Sequence, residues 1–413
     1  MNRGERYRLT IERPAAGGRM IARHEGAIVF VGGAIPGETV DAEIEKVQRG
    51  TVWAKAVEIL EPSPDRVSGI DGECGGAVFA HIAYERQRHI KADIITDAFR
   101  RIGRITLDTP AEVVASPSTG YRMRARFHVR DGRIGFFREG THTLCDPAIT
   151  GQLRDDTIAV VRALEAALAP VADRAVSDIE LSENVDASER AIHLELTPDA
   201  DPSRLAALTT VDGLTGATCA HPENVRTIDL WGSPLVTDTI AGATLSRHAR
   251  SFFQGNRFLT GALVEHVLSL IESGPVLDLY AGVGLFSVTA AAAGRGPVTA
   301  VDGDRFSVSD LRRNASGAAV EVKADAVEQF LERSKDRFAT SIVDPPRTGM
   351  SKEAMAGVVK LGAARLIYVS CDIATLARDS RVLLDAGYRI ASTRAFDLFP
   401  NTAHVETVIS FSR

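Results

Sequence analysis

The chain has 413 residues, which is long enough for two or three domains. Its hydrophobic content of 45% and charged content of 25% are those of an ordinary globular protein, and no apolar run approaches the ~20 residues of a membrane span. The net charge of −6 argues against broad, unselective nucleic-acid binding. Four widely spaced cysteines do not make a disulfide scaffold, and the polar start MNRGERYRLT lacks a signal-peptide core. We therefore expect a protein of the reducing cytoplasm.

Residues 1–60 have the pattern of a small all-β module. Short strand-like runs are separated by glycine turns, and the runs are Tyr7–Ile11, Ala27–Val31, Thr39–Ile44 and Val52–Ile59. This spacing predicts a barrel of the OB type, which often binds oligonucleotides. A barrel that only packs on its neighbour is the alternative. Pro62 and Pro64 mark its end.

Residues 61–240 mix helical and strand patterns, which predicts a central α+β domain. Apolar residues four apart predict a helix over 83–102. The segment YRMRARFHVRDGRIGFFR (121–138) alternates like a strand and turns at Asp131–Gly132 into a second strand. A phosphate clamp or a solvated strand edge would each explain the arginines that share one face of the first strand, Arg122, Arg124 and Arg126.

From residue 241 onward, strand and helix patterns alternate, which predicts a doubly wound α/β sheet preceded by a helix over 256–271. The first strand, VLDLYAGVG (276–284), runs into a loop in which Gly282 lets the backbone approach a ligand. The missing third glycine of the dinucleotide fingerprint counts against a nucleotide-binding oxidoreductase. An antiparallel pair, 388–396 and 405–411, closes a sheet that looks like a class I S-adenosylmethionine (SAM) methyltransferase. Within this predicted sheet, the three strands that follow the first one along the chain end in carboxylates, Asp302, Asp325 and Asp344.

The segment LIYVSCDIATLARD (366–379) places a cysteine between a strand and a helix. The apolar run breaks at Ser370 and Cys371, and Asp372 caps the predicted helix. The carboxyl end of such a strand is where open α/β sheets bind ligands. A nearby helix N-terminus favours the thiolate. A buried, inert cysteine is the alternative that this segment alone leaves open.

Several stretches resemble the RNA uracil-5-methyltransferase family, which includes bacterial 23S rRNA enzymes and tRNA uracil-54 enzymes. They are SFFQGN (251–256), DLYAGVGLFS (278–287), DPPRTGM (344–350), SCDIATLARD (370–379) and FDLFPNTAHVET (396–407). Residues 17–44 resemble the TRAM domain, an RNA-binding barrel. The resemblance implies a TRAM-like barrel over 1–60, a central domain over 61–240 and a catalytic domain over 241–413.

The resemblance also implies roles for individual residues. Cys371 matches the nucleophile that adds to C6 of uracil, and Glu406 matches the base that removes the C5 proton. Asp344 could instead face the uracil imide. Phe252, Phe253 and Phe399 are candidates to stack on a flipped base. Together with the loop and strand-end positions noted above, the family match gives the expected SAM contacts as Gln254, Tyr280, Gly282, Asp302, Asp325 and Asp344.

The substrate predicted in this way is RNA, with rRNA favoured over tRNA because of the TRAM-like module. RNA cytosine-5 enzymes generally carry a second cysteine after a proline in the motif that follows the fourth strand, here called the fourth motif, which is DPPRTGM in this chain. Adenine-N6 enzymes have an aromatic residue after the two prolines. This chain has Arg347 after its two prolines. An RNA-binding protein with an inactive domain is the alternative from another class. No membrane contact and no obligatory protein partner is evident.

The chain departs from the family at the iron–sulfur site that 23S rRNA members typically carry. Cys74 and Cys145 are present, but Ala77 stands at the expected third position and Ser68 stands near the first. Two thiolates cannot supply the four that such a cluster uses. We therefore expect no cluster and no metal, and the two cysteines could still lie near each other.

Overall fold

The computed structural model describes residues 1–68, 72–171, 175–222 and 226–413. The first unit is a closed barrel, with strands Arg6–Pro14 (β1), Met20–His24 (β2), Ala27–Gly32 (β3), Thr39–Gln48 (β4) and Thr51–Glu61 (β5). They pair in the order β1-β2-β3-β5-β4. Alternate side chains such as Leu9, Val29 and Val40 fill the interior. The predicted barrel is confirmed, and β2 is the strand that the sequence pattern did not reveal.

Helix α1 (Tyr84–Ala98) connects the barrel to the rest of the molecule. A π-helical turn, Phe99–Gly103, follows it and ends the helical segment close to the predicted position. Ile90 packs into the barrel core, whereas Ile95 packs into the core beneath the large sheet. The Lys91 ammonium lies 2.5 Å from a carboxylate oxygen of Asp397, and both side chains are fully buried.

The central unit contains a seven-stranded sheet, against which helix α2 (Asp155–Leu168) packs. Its strands are Arg124–Arg130 (β7), Arg133–Phe137 (β8), Leu144–Cys145 (β9), Val176–Glu183 (β10), Arg190–Leu196 (β11), Gly216–Ala220 (β12) and Ile228–Gly232 (β13). They pair in the order β13-β12-β11-β10-β7-β8-β9. Short 3₁₀ turns lie at Pro147–Thr150 and Pro202–Thr210. Strands β7 and β8 form the predicted hairpin.

The arginines of β7 face the carboxylates of the neighbouring strands. The antiparallel register sets Arg126 opposite Glu180, and the Arg126 guanidinium also lies 2.9 Å from Glu195. Arg124 forms an ion pair with Glu180. The charges of Arg124 and Arg126 are therefore neutralised, and the positive charge of the three alternating arginines is concentrated at Arg122.

A hairpin of Leu235–Ile240 (β14) and Ala243–His248 (β15) leads into the large sheet. Its strands are Val276–Leu279 (β16), Val298–Val301 (β17), Val320–Lys323 (β18), Thr340–Val343 (β19), Arg365–Ser370 (β20), Arg389–Phe396 (β21) and Glu406–Ser412 (β22). A short strand from much earlier in the chain, Glu112–Val114 (β6), joins the edge. The order β18-β17-β16-β19-β20-β22-β21-β6, with β22 antiparallel to both neighbours, confirms the predicted doubly wound sheet.

Besides α1, the helices of the described residues that cover the faces of this sheet are Thr260–Ser269 (α3), Leu285–Ala292 (α4), Arg305–Asn314 (α5), Val327–Arg333 (α6), Lys352–Leu361 (α7) and Ile373–Asp385 (α8). Helix α3 begins four residues later than the pattern predicted. The side-chain oxygen of Asn256 accepts hydrogen bonds from the backbone N–H groups of Phe258 and Leu259, at 3.0 and 3.1 Å. Asn256 therefore closes a turn there instead of starting the helix.

Cys74 and Cys145 are joined by a disulfide, with their Cα atoms 5.8 Å apart. The composition did not predict this crosslink. Ala77 stands at the expected third position of the family's cluster, three residues after Cys74, and is buried. Among the described residues, no group of three or more histidine, cysteine or acidic side chains is arranged to hold a metal ion. None of the described helices has the length and apolar character to cross a membrane.

Candidate active site

A cavity of about 530 Å³ opens at the carboxyl ends of β16, β19 and β20, where open α/β sheets bind their ligands. Three parts of the chain form its walls: the strand-end loops of the large sheet, residues 252–255 before α3, and residues 121–124 at the start of β7. Of the residues predicted from the sequence, the cavity brings together Cys371, Glu406, Gln254, Tyr280, Gly282, Asp302 and Asp344. Asp325 does not line it.

Strand pairing places Cys371 and Glu406 at the same edge. Ser370, the last residue of β20, pairs with Thr407 of β22, so the residues that come next on each side, Cys371 and Glu406, reach the same end of the sheet. Asp372 then caps α8 by accepting a 2.8 Å hydrogen bond from the backbone N–H of Thr375. The predicted strand, break and helix at this position are confirmed.

The Cys371 thiol lies in an environment that keeps it protonated. Burial raises its pKa to about 12, and the carboxylates of Glu406 and Asp344 act in the same direction. Arg347 opposes them through its charge and a hydrogen bond to the thiol. The helix N-terminus therefore does not by itself set the ionisation state of the cysteine, and Arg347 is the positive group that offsets the carboxylates.

Buried carboxyl groups surround the thiol. Glu406 is only 2% exposed, and burial together with Asp344 raises its pKa well above the ordinary value. Burial and the neighbouring Asp278 raise the pKa of Asp344 to about 7. The amide nitrogen of Gln254 lies 3.5 Å from Asp344. A cationic ligand in the cavity would stabilise the ionised forms of these carboxyl groups and lower their pKa values.

The glycine loop and Asp302 also line the cavity. The Asp302 carboxylate accepts 2.8 Å hydrogen bonds from the backbone N–H groups of Gly282 and Asp304. Gly282 has a φ of +58°, and a Cβ built there would meet nothing within 4 Å. The space in front of this loop is therefore open to a ligand. Gly284, with a φ of +95°, has no such room, since a Cβ would lie 2.7 Å from Val288.

The three phenylalanines expected to stack on a base have different surroundings. Phe252 is 58% exposed and lines the cavity with Phe399, and the Arg124 guanidinium lies 5.8 Å from its ring centroid. Phe253 is buried under the guanidinium of Arg247, 3.9 Å from its ring centroid. Phe253 also lines the cavity, but Phe252 and Phe399 are the less buried of the three rings.

Sequence reasoning did not assign Arg122, Arg124 and Arg347 to one site. All three line the cavity, although Arg347 lies in the fourth motif and the other two lie more than 200 residues earlier. The period-two arginine pattern was the available signal for Arg122 and Arg124. How close these two residues lie to the cavity depends on how the central sheet packs against the large sheet, which no local pattern reveals.

Comparison with known proteins places the chain among RNA-modifying enzymes. Residues 1–57 match the sequence profile of the TRAM domain, and residues 242–413 match that of tRNA (uracil-5-)-methyltransferases. An uncharacterized RNA methyltransferase of Streptomyces avermitilis is 32% identical, and the alignment covers 98% of each chain. The 23S rRNA (uracil(1939)-C(5))-methyltransferase RlmD of Pseudomonas entomophila is 30% identical, over 99% of this chain and 94% of the relative.

A solved structure has the same fold from end to end. It is the Pyrococcus abyssi tRNA (uracil-54, C5)-methyltransferase in complex with S-adenosyl-L-homocysteine, with a TM-score of 0.80, 24% sequence identity, and coverage of 98% of this chain and 99% of the other. The predicted fold class and resemblance are confirmed. The chain belongs to the SAM-dependent RNA uracil-5-methyltransferase family and carries an N-terminal TRAM domain.

Proposed function

We propose that this protein transfers a methyl group from SAM to C5 of a uridine in cytoplasmic RNA, with rRNA as the substrate. The observation that carries the proposal is the meeting of Cys371, Glu406 and Asp344 in one cavity. A nucleophile, a base and a buried carboxylate are what methylation at an unreactive vinylic carbon requires.

The residues present fit SAM. Gly282 leaves open space in front of its backbone, Asp302 is fixed there by two backbone N–H groups, and Asp344 provides a carboxylate for a cationic centre. We propose that Gln254, Tyr280 and these three residues hold the cofactor, which supplies an electrophilic methyl group when bound. Asp325 lies two residues beyond β18 and outside the cavity lining, so its contact with SAM stays a prediction.

The proposed chemistry begins at Cys371. Its thiolate adds to C6 of the uracil ring, and the electrons of the C5–C6 double bond pass into an enolate that makes C5 nucleophilic. Arg347 stabilises the thiolate, since its positive charge and hydrogen bond lower the pKa of Cys371. The alternative to a contact between Asp344 and SAM is that Asp344 faces the imide of the uracil ring at this step.

Glu406 completes the reaction. Once C5 carries the methyl group, its remaining proton has to leave before the thiolate can be expelled from C6 and the C5–C6 double bond restored. A buried carboxylate whose pKa is raised is a stronger base than an exposed one. Glu406 therefore accepts the proton, and Cys371 is released for another cycle.

The choice of rRNA rests on the relatives. RlmD of Pseudomonas entomophila, named for a uridine of 23S rRNA, aligns with nearly the whole chain. The Pyrococcus abyssi enzyme, named for uracil-54 of tRNA, supports the fold alone at 24% identity. A tRNA substrate is therefore the second candidate. The TRAM barrel is compatible with either RNA.

Deletion of the gene, followed by mass spectrometry of 5-methyluridine in separated rRNA and tRNA, tests the proposal. We expect loss of the nucleoside from rRNA, restored by the wild-type gene. Loss from tRNA alone would transfer the substrate to the second candidate. No change in either fraction, in a strain without another enzyme of this family, would refute the proposed reaction.

Replacing Arg347 with glutamine should move the pH profile of kcat/KM to higher pH. The thiol must lose its proton, so activity rises with pH through the apparent pKa of Cys371. Loss of a neighbouring positive charge raises that pKa by about one unit. Below the pKa of Cys371, which burial raises to about 12, activity should therefore fall about tenfold. Initial rates measured from neutral to mildly alkaline pH, where RNA stays intact, check this expectation.

Arg381→Gln is the matched control, because Arg381 is an arginine of α8 paired with Asp385 away from the cavity. Its profile should overlay that of the wild type. If Arg347→Gln kept the wild-type rate over this pH range, the assigned effect on the thiol would be wrong.

A further inference from the structure

Arg122 lines the cavity and has no carboxylate partner among the residues that the structure describes. Its Nε–H donates to the backbone oxygen of Arg124 at 2.9 Å, and its Nη1 donates to the side-chain oxygen of Gln152 at 2.5 Å. Within the described ranges, no acidic side chain forms an ion pair with it, although Arg124 and Arg126 on the same strand face do form ion pairs. Three of its five N–H groups thus remain for a ligand.

Gln152 holds this guanidinium without neutralising it. The side chain is 0% exposed, and its amide nitrogen donates to the backbone oxygen of Gly75 at 3.0 Å. Gly76 presses against the same amide, since a Cβ there would lie 2.6 Å from its atoms. A glutamate of the same shape would have formed a strong ion pair with Arg122. The neutral amide fixes the geometry and leaves the positive charge uncompensated.

The position of Arg122 identifies which anion it meets. The charges of Arg124 and Arg347 both act on Arg122, and Arg347 in turn contacts the thiol of Cys371. Arg124 also lies against the exposed ring of Phe252. These groups and Cys371 line the same cavity, so a strand whose base reaches the thiol passes close to Arg122. The anion nearest a flipped base is a phosphate of its own strand.

We infer that Arg122 binds a backbone phosphate of the RNA strand at the target uridine and that Gln152 is a positioning residue for it. The inference rests on the proposed function, because it assumes an RNA substrate. A guanidinium fork held at two of its nitrogens can present its remaining N–H groups to a phosphate. The contact would fix the register of the strand without reading its sequence.

The test uses the full-length protein and rRNA from the deletion strain, with methyl incorporation as the readout. Arg122→Gln removes the charge, and Gln152→Glu keeps the shape but neutralises it. We expect both variants to raise the KM for rRNA about tenfold with little change in kcat. The slope of log KM against log salt should fall by about 0.7, the value for one phosphate contact on a single strand.

Arg126→Gln is the matched control, since Arg126 lies on the same strand face but is paired with Glu195. It should leave KM and the salt slope unchanged. An equal effect in Arg126→Gln and Arg122→Gln would overturn the inference, and so would a Kd for S-adenosylhomocysteine that weakens while the KM for rRNA does not. If Gln152→Glu fails to fold, Arg122→Gln alone decides. Failure of the wild type to methylate rRNA would instead count against the proposed function.

Discussion

Replacing Cys371 with alanine should abolish methylation, with a loss on the order of 10⁴-fold or more, because Cys371 is the only thiol among the described residues that line the cavity. The variant should still bind S-adenosylhomocysteine, since the glycine loop and Asp302, at the ends of β16 and β17, are unchanged. Incorporation of labelled methyl groups into rRNA, together with calorimetric titration of the cofactor product, measures both properties.

Cys219→Ala provides the matched control. Cys219 is the other free cysteine and is buried in β12 of the central sheet, away from the cavity. This variant should retain activity close to that of the wild type. Substantial turnover by Cys371→Ala would exclude the covalent mechanism, and it would then require a reaction in which C5 is activated without a thiolate.

Replacing Glu406 with glutamine should stop the reaction after methyl transfer. The amide keeps the shape of the side chain but cannot accept the C5 proton, so the thiolate cannot leave. Turnover should fall by about 10³-fold, and a covalent complex of protein and methylated RNA should accumulate. A band of reduced mobility in a denaturing gel, sensitive to ribonuclease, measures this complex.

The double variant Cys371→Ser, Glu406→Gln distinguishes a covalent adduct from tight binding. It removes the thiol while leaving the altered base in place, so the slow-moving band should disappear. A band that persists would show that the complex does not depend on Cys371. If Glu406→Gln accumulated no complex and retained turnover, another group would have to serve as the base.

Much of the fold was predictable because its signals are local. Glycine turns and alternating apolar residues marked the barrel, and strands ending in carboxylates marked the large sheet. The strand, break and helix around Cys371 also follow from a short run of residues. Glu406 was recognised by its family motif, and the β20–β22 register explains why it shares an edge with the cysteine.

The remaining features depend on contacts between distant segments, for which the sequence carries no local signal. The disulfide joins cysteines 71 positions apart, and Gln152 meets Gly75 through the packing of two loops. The alternating arginines 122, 124 and 126 were visible in the sequence. Which of them form ion pairs depends on the acidic residues that the neighbouring strands place opposite them. Asp325 illustrates the converse, since a regular strand-end position did not bring it to the cavity.

The pairing of β6 with β21 makes the large sheet depend on residues far upstream. A fragment that began at residue 242 would lack β6, so β21 would present an open row of backbone donors and acceptors to other molecules. It would also lack Lys91, which leaves the buried carboxylate of Asp397 without its partner. Chimeras assembled from two relatives should therefore inherit residues 84–114 and the catalytic sheet from the same parent, or else carry compensating changes on both sides of the joint.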